Sequence, residues 1–151
     1  MELPANAAPF LPHAPPMLWV RTLCGIDAES VTCETVVDDA FAPFLDADGA
    51  LSSVALMEII AQSIGVWAGW HDKMAGRPAQ SGMLLGCRQL RSAKPSFAYG
   101  ARLRVEARKL VEQNGVGSFD ARIFQDGAEV AAGTLTTYQT TWEHLDELLQ
   151  R

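Results

Sequence analysis

Cysteine is scarce in this sequence, and the few cysteines follow no metal-binding spacing. Cys24, Cys33 and Cys87 are an odd number without a Cys-x-x-Cys pair. This pattern argues against a disulfide framework and against a zinc site, and it favours a reducing cytoplasm. We interpret all three as small, buried, apolar side chains.

Targeting and repeat features are also missing. The first ten residues have neither the basic nor the apolar region of a signal peptide, and there is no internal repeat or low-complexity tract. With 48% hydrophobic and 20% charged residues, the composition is that of an ordinary soluble protein. We expect a single cytoplasmic domain over residues 1–151, with its core at about 11–139.

Most of the positive charge lies in one segment of an acidic chain. The net charge is −6, but the segment from Lys73 to Lys109 holds nine basic residues and one acidic residue. This segment therefore carries +8 and the remainder −14. A protein without a broad positive field is a poor non-specific binder of nucleic acid. The local basic patch suits a smaller anionic partner, and a solvated strand face would give the same pattern.

A run of seventeen residues, Val54 to Trp70, is apolar on all sides and predicts a helix buried in protein. It is shorter than the ~20 residues of a membrane span, and its Glu58 and Gln62 would be costly in lipid. Gly65 and Gly69 lie on the same side of this helix as Glu58 and Gln62. Glycine weakens a helix, so we expect another backbone to approach closely there.

Alternating apolar and polar residues predict strands on both sides of the helix. The predicted strands are Met17–Ile26, Val31–Val37, Met83–Arg91, 102–108, 119–124 and 130–138. Asn114-Gly115 and Asp126-Gly127 supply the positive-φ residues of tight hairpins. We expect the last four strands to form an antiparallel meander. The order of elements predicts an α+β fold in which the sheet wraps around the long helix.

Two helix starts carry capping signals. Ser52 or Ser53 follows a loop rich in Pro, Asp and Gly and can cap the long helix. Near the end of the chain, Thr140 and Glu143 form a capping box, which predicts a short second helix at 141–150. We expect it to dock on the domain or on a partner subunit. Its apolar side consists of Trp142, Leu145, Leu148 and Leu149.

Glu58 is the most unusual residue of the long helix. Burial disfavours the charged form of a carboxyl group, so a glutamate there is suited to holding and releasing a proton. Gln62 lies one turn later on the same face and can hold the carboxyl group in one rotamer. The same pattern also fits a satisfied buried carboxylate, or a helix end that faces water.

His13 is the second candidate for chemistry, because imidazole transfers protons near neutral pH. Prolines on both sides restrict its backbone. A histidine in such a loop can equally be an incidental turn residue. His71 and His144 are interpreted as surface residues. They share no metal-ligand spacing with His13, so no metal site is predicted.

Three segments together resemble a known family. "LPHAPPMLWV" (Leu11–Val20) is similar to the family's opening segment, and "MEIIAQSIG" to its central helix, whose Glu-x-x-Ala-Gln pattern falls on Glu58, Ala61 and Gln62. "GMLLGCRQLRSAKPSFAYGARLRVEARKL" resembles its next two strands. The family is the hot-dog fold 3-hydroxyacyl-[acyl carrier protein] dehydratases, in particular the divergent, ApeP-like subgroup associated with aryl polyene biosynthesis. The resemblance covers about residues 11–138 and implies an antiparallel sheet wrapped around one long helix.

The loop before the helix departs from the family's pattern. Typical members carry a catalytic histidine there in a Gly-His-Phe-Pro motif, whereas this loop is "DDAFAPFLDADGALSS". Either catalysis is lost or another histidine has taken the role. His13, in the matching opening segment, is the candidate.

The resemblance implies dehydration of a 3-hydroxyacyl chain carried on the phosphopantetheine of an acyl carrier protein, with no other cofactor. His13 would remove the proton at C2, and Glu58, oriented by Gln62, would donate to the leaving hydroxyl. Backbone amides near Gly86 would stabilise the thioester oxygen. The basic residues that would attract the acidic carrier and its phosphate include Arg88, Arg91 and Lys94.

The resemblance also implies an assembly of subunits. In the family the histidine segment and the helix of two subunits meet, so we expect a homodimer with His13 facing Glu58 across its interface. A heteromer with another hot-dog subunit is the alternative. Two other functions stay open. One is a hot-dog thioesterase, which needs a carboxylate and no histidine. The other is a non-catalytic subunit that stabilises an active homologue.

Overall fold

A long helix lies against one face of an antiparallel sheet. The computed structural model describes residues 2–78, 81–140, 147, 149 and 150, and its helix, α1, spans Leu56–Met74. The strands are β1 (Ala5–Asn6), β2 (Thr22–Ile26), β3 (Ser30–Val36), β4 (Leu51–Ser52), β5 (Ser81–Ser92), β6 (Ser96–Phe97), β7 (Arg102–Gln113), β8 (Val116–Gln125) and β9 (Ala128–Thr140). Short 3-10 helices lie at Ala8–Phe10, Asp39–Phe44 and Ser53–Ala55. The expected α+β architecture is confirmed.

Seven strands form one sheet in the order β1-β2-β3-β7-β8-β9-β5. The expected meander of four consecutive strands is wrong in one respect, because β5 pairs with β9 and not with β7. The connection from β5 to β7 contains β6, which pairs with β4 just before α1, Leu51 lying opposite Phe97. The chain thus crosses from one edge of the sheet past the beginning of the helix. Of those four strands, β7, β8 and β9 form a meander, and β5 lies at the edge of the sheet among the described residues.

Both predicted hairpin turns are present. Asn114 and Gly115 have φ angles of 54° and 82°, and Asp126 and Gly127 have φ angles of 51° and 79°. Two successive residues with positive φ match the right-handed twist of the strands that they join. The turn chemistry therefore determines where β7, β8 and β9 begin and end.

The first predicted strand is wrong over its first half. Residues 17–21 lie outside the ladder, and pairing begins at Thr22 in β2. The backbone N–H groups of Trp19 and Val20 donate to the side chain of Gln62 instead of to a neighbouring strand. An apolar pattern predicts burial, but it does not tell whether the partner of the backbone is a strand or a side chain.

The core fills the space between α1 and the sheet. On β3 and just after it, Val31, Cys33, Thr35 and Val37 are all buried, which confirms their common phase. The buried residues of the next two strands also alternate, as expected for strands with one covered face. They are Leu103, Val105, Ala107, Phe119, Ala121 and Ile123.

All three cysteines are free, but only one is fully buried. Burial raises the pKa of the Cys33 thiol to about 12, which makes it a poor nucleophile. Cys24 and Cys87 are half-buried, contrary to expectation. They lie on β2 and on the edge strand β5, where less of the protein covers the sheet.

The long helix is not buried on all sides. It spans Leu56–Met74 rather than Val54–Trp70, and its face with Glu58, Gly65 and Gly69 is partly exposed. Among the described residues, Ser53–Met74 is the one helical segment long and apolar enough to cross a membrane. Half of its most apolar window is buried inside the protein. Because half of this window is buried in the protein, the segment is a core helix with one partly exposed face.

The start of the long helix lies among the described residues, whereas the second predicted helix lies largely outside them. The Ser52 hydroxyl accepts a hydrogen bond from the backbone N–H of Val54 (3.3 Å), so it caps the 3-10 turn that leads into α1. The predicted helix at 141–150, with its capping box of Thr140 and Glu143, lies almost entirely outside the described residues. It stays a prediction, as does the single domain over 1–151.

The close approach of another backbone that we expected at the helix glycines is confirmed at Gly69, whereas a side chain lies over Gly65. A Cβ on Gly69 would overlap the backbone carbonyl of Phe10, and a Cβ on Gly65 would lie 3.1 Å from Cδ2 of Leu11. The segment before His13 therefore packs directly on the helix backbone.

Gly69→Ala should lower the free energy of unfolding by about 1–3 kcal/mol, because the new methyl group displaces backbone. Gly65→Ala is the matched control on the same helix face, since its Cβ meets only the end of a flexible Leu11 side chain. Alanine favours a helix equally at both sites. Urea unfolding of both variants measures the difference, and equal stabilities would contradict the close packing of the segment on α1.

Candidate active site

A cavity of about 440 Å³ runs along the open face of α1. Its floor is the helix face with Glu58, Gly65 and Gly69, and one wall is the segment from Pro9 to His13. The sheet contributes Gly82 and Leu84 from β5 and Thr137 and Gln139 from β9. The cavity therefore lies between this segment, which packs on the helix glycines, and the edge of the sheet.

His13 and Glu58 face each other in this cavity. Nε2 of His13 lies 3.4 Å from Oε1 of Glu58, and their side chains are 29% and 35% exposed. Both belong to one chain, so the expectation that they meet across a dimer interface is wrong. The close packing of the histidine segment on α1 brings the two residues together within the subunit. At this separation a proton can pass between them directly or through a bound hydroxyl group.

Gln62 connects this pair to the backbone of the histidine segment. It is fully buried, and its Nε2 donates to Oε1 of Glu58 (3.0 Å) and to the carbonyl of Met17 (2.7 Å). Its Oε1 accepts from the backbone N–H groups of Trp19 (2.9 Å) and Val20 (3.2 Å). The amide thus uses both its donors and both its acceptor positions. The expected contact between Gln62 and Glu58 is present.

An ion pair anchors the chain after the histidine segment. The Arg21 guanidinium donates to Asp38 through Nη1 (2.6 Å to Oδ2) and through Nη2. Hydrogen bonding to Arg21 holds the pKa of Asp38 at about 2. Since Phe10 is held against Gly69 before His13, the segment is fixed on both sides of the histidine.

The second ring nitrogen of His13 points into protein. Nδ1 is buried and has no hydrogen-bond partner among the described residues. When the ring hydrogen is on Nε2, it lies between the two residues across the 3.4 Å separation from Oε1 of Glu58. When it is on Nδ1, Nε2 is free to accept a proton. The two tautomers therefore give the pair two different proton arrangements.

A family model matches almost the whole chain. The ApeP-like family, described as ApeP dehydratase, matches residues 5–150. The chain belongs to the ApeP-like dehydratase family. It is also similar to a chain of the dehydratase heterocomplex ApeI:P from Xenorhabdus doucetiae, with a TM-score of 0.92 and 33% identity over 97% of this chain and 99% of that chain. No curated protein matches it.

More distant structures show the hot-dog fold alone. A hypothetical thioesterase with coenzyme A from Streptococcus pneumoniae TIGR4 has a TM-score of 0.59 and 16% identity over 79% of this chain and 84% of that chain. The E. coli PaaI protein from the phenylacetic acid degradation operon has a TM-score of 0.58 and 14% identity over 77% and 80% of the two chains. At such identities the likeness carries no activity to an ApeP-like chain.

The loop that lacks the family's histidine supports the histidine segment instead. It forms the 3-10 helix Asp39–Phe44. The rings of Phe41 and Phe44 contact Trp19, with centroid distances of 5.3 and 5.0 Å. This loop therefore packs behind the residues that Gln62 holds.

The other predicted site residues lie away from the cavity wall. Gly86 is on β5 beyond the two residues of that strand that line the cavity, beside an irregularity in the pairing with β9. Arg88, Arg91 and Lys94 are exposed on the same strand and the loop after it, and Lys94 Nζ donates to Gln125 (2.9 Å). Their roles stay predictions.

Sequence reasoning did not assign Asp72, Lys73 or Arg77 to the site, although all three line the cavity. The available signal was the helical spacing. Asp72 and Lys73 continue the stripe of Glu58, Gly65 and Gly69 by one more turn of α1. The two basic residues stood out only as part of the broad basic segment.

Gln62→Met should destabilise the protein by about 2–4 kcal/mol, because it leaves the buried N–H groups of Trp19 and Val20 unpaired. Ser63→Ala is the control. Ser63 is equally buried, but its hydroxyl bonds to the Ile59 carbonyl within the helix (2.9 Å) and to the Cys33 thiol on β3. Urea unfolding compares the two variants. If Gln62→Met costs no more than Ser63→Ala, the amide does not hold the segment.

Proposed function

We propose that this chain dehydrates 3-hydroxyacyl thioesters on an acyl carrier protein and yields 2-enoyl thioesters. The observation that carries the proposal is the 3.4 Å separation between His13 Nε2 and Glu58 Oε1 at the cavity wall. Membership of a dehydratase family supports the type of reaction. The apolar part of the lining suits an acyl chain and includes Phe10, Leu11 and Ile64.

The elimination balances with one base and one acid. Nε2 of His13 takes the proton from C2, and the electron pair of that bond forms the C2–C3 double bond as the C3–O bond breaks. The protonated carboxyl group of Glu58 gives its proton to the hydroxyl group, which leaves as water. The proton on His13 then returns to Glu58, which restores the pair. Each such transfer typically contributes about 10²–10⁴-fold to the rate.

The thioester oxygen gains negative charge as the C2 proton leaves, so it needs a hydrogen-bond donor. We assign this role to backbone amides of β5. The family resemblance points to the neighbourhood of Gly86. Gly82, on the same strand, lines the cavity, which supports a donor on this strand.

We assign the contact with the carrier protein to Arg88, Arg91 and Lys94. These side chains are exposed on and after β5, and acyl carrier proteins are acidic, so opposite charges would guide the encounter. We place this reaction in fatty acid or aryl polyene biosynthesis in the cytoplasm, and membership of the ApeP-like dehydratase family supports the type of reaction.

Replacing either member of the pair should lower turnover at least about 100-fold without unfolding the protein. The variants are His13→Ala and Glu58→Gln. His71→Ala is the matched control, because Nε2 of His71 contacts the Asp27 carbonyl (2.8 Å) away from this pair. Each protein is incubated with carrier-bound 3-hydroxyacyl substrate, and mass spectrometry measures the loss of water from the carrier-bound chain.

Two outcomes would overturn the proposal. Release of free acid and free thiol without an enoyl product would identify a thioesterase. No dehydration by the chain alone, together with unchanged dehydration by both variants in complex with an active homologue, would identify a non-catalytic partner subunit.

We also propose that the chain works in a heteromer with a second hot-dog subunit. The similarity to a chain of a dehydratase heterocomplex supports this. Among the described residues, β5 pairs on one side only, and Leu84 and Leu85 on it are 39% and 54% exposed. A free edge with apolar side chains favours pairing with a strand of another chain. A homodimer through the same edge is the alternative.

Leu85→Lys should weaken this assembly, because it puts a charge into the apolar edge. Leu110→Lys is the matched control, since Leu110 is 58% exposed on β7 away from that edge. Size-exclusion chromatography with light scattering measures the masses of the chain alone and co-expressed with an ApeI-type subunit. Wild-type assembly by Leu85→Lys would exclude this edge as the interface.

A further inference from the structure

The cavity has two chemically different ends. Along its floor the residues Glu58, Gly65, Gly69 and Lys73 form one stripe on α1. Glu58 and the facing His13 mark the acid-base end. Lys73, fifteen residues further along the helix, marks the other end. The backbone positions of Glu58 and Lys73 are about 22 Å apart along the helix axis.

Arg77 is held in place at this second end. Its Nε donates to Oδ1 of Asp72 (3.0 Å), and its backbone N–H donates to the Asp72 carbonyl (2.9 Å). Asp72 is 6% exposed, whereas the Arg77 side chain is 55% exposed. The carboxylate therefore orients the guanidinium through Nε, which leaves the terminal nitrogens as donors for a ligand.

Lys73 adds a second cation beside Arg77. It lies in the last turn of α1, and its Nζ is 5.5 Å from the centre of the Phe10 ring. Since Asp72 offsets one of the two positive charges, this end carries a net charge of +1 within a chain whose net charge is −6. It is thus a local anion-binding end in an acidic protein.

The distance between the two ends matches a carrier-bound substrate. From the phosphate to C3 of the acyl group, an extended phosphopantetheine thioester spans roughly 20 Å, by standard bond lengths. A phosphate next to Lys73 and Arg77 would therefore leave the reacting carbons beside His13 and Glu58.

We propose that Lys73 and Arg77 form a phosphate subsite for the phosphopantetheine arm, with Asp72 as the residue that positions Arg77. The inference rests on the proposed function for the substrate it names. The arm lies along the glycine face of α1, and the subsite sets how far the thioester reaches towards the acid-base pair.

The basic residues predicted from the sequence do not compete for this role. Arg88, Arg91 and Lys94 are absent from the described lining of the cavity, and Lys94 is engaged with Gln125. They suit contact with the carrier protein surface, whereas Lys73 and Arg77 suit the arm.

Binding without turnover tests the subsite directly. Isothermal titration calorimetry compares phosphopantetheine with pantetheine, which lacks the phosphate. We expect the wild type to bind the phosphorylated form about tenfold or more tightly. Lys73→Gln, which leaves the Asp72–Arg77 pair intact, should remove that preference, and Arg77→Lys should reduce it. Arg122→Gln is the control, because Arg122 lies on β8 and pairs with Glu129. Melting temperatures verify that each variant is folded.

Kinetic measurements distinguish recognition of the phosphate from recognition of an anionic group on the acyl chain. With 3-hydroxyacyl phosphopantetheine as substrate, Lys73→Gln should raise KM about tenfold and leave kcat unchanged. With the pantetheine thioester, which lacks the phosphate, the KM and kcat of this variant should equal those of the wild type. A third substrate is the pantetheine thioester of a 3-hydroxy acid with a terminal carboxylate. A preference that depends on that carboxylate and not on the phosphate would overturn the inference.

The two proposals fail in different ways. A phosphate preference in binding without any dehydration would support the subsite and refute the proposed reaction. Dehydration with equal KM values for the two thioesters, in the wild type and in Lys73→Gln, would refute the subsite and support the reaction.

Discussion

The hydrogen bonds of Gln62 are the interaction on which the rest of the site depends. A buried amide without partners would be costly, and this one is satisfied only when helix and segment are together. One end of the amide holds the Glu58 carboxylate, and the other holds the backbone at Trp19 and Val20. The same side chain therefore stabilises the fold and orients Glu58 beside His13. Misplacing the segment would leave several buried groups unpaired at once, so its position is well defined.

The glycine face of α1 explains why a cavity lies beside this network. Gly69 admits the backbone of Phe10, and Gly65 admits the side chain of Leu11. The helix gives up some intrinsic stability at these positions. In return the histidine segment lies close enough for His13 to reach Glu58, and the cavity lies beside this contact, between segment and sheet. The packing on the glycines thus places both the pair and one wall of the cavity.

The charged residues make the two ends of this channel chemically different. The His13–Glu58 pair lies at one end, and Lys73 lies at the other beside Arg77, which a buried aspartate holds. Between them the lining is largely apolar. The substrate that we propose, with a reactive thioester at one end of a long arm and a phosphate at the other, would fit both ends at once. The free edge of β5 borders the same cavity, since Gly82 and Leu84 lie on that strand. Assembly with a second subunit would therefore act on the wall of the channel.

Local features of the sequence determined the long helix, the strand phases and the two hairpin turns, because periodicity and turn chemistry act between near neighbours. They also singled out Glu58, Gln62 and His13 as polar residues in apolar or rigid surroundings. Only the tertiary structure decided that β5 pairs with β9, that Met17, Trp19 and Val20 bond to the side chain of Gln62, and that His13 meets Glu58 within one chain. It alone brought Lys73 and Arg77 to the cavity. Such contacts join residues far apart in the chain, and which of them form depends on how the whole core packs.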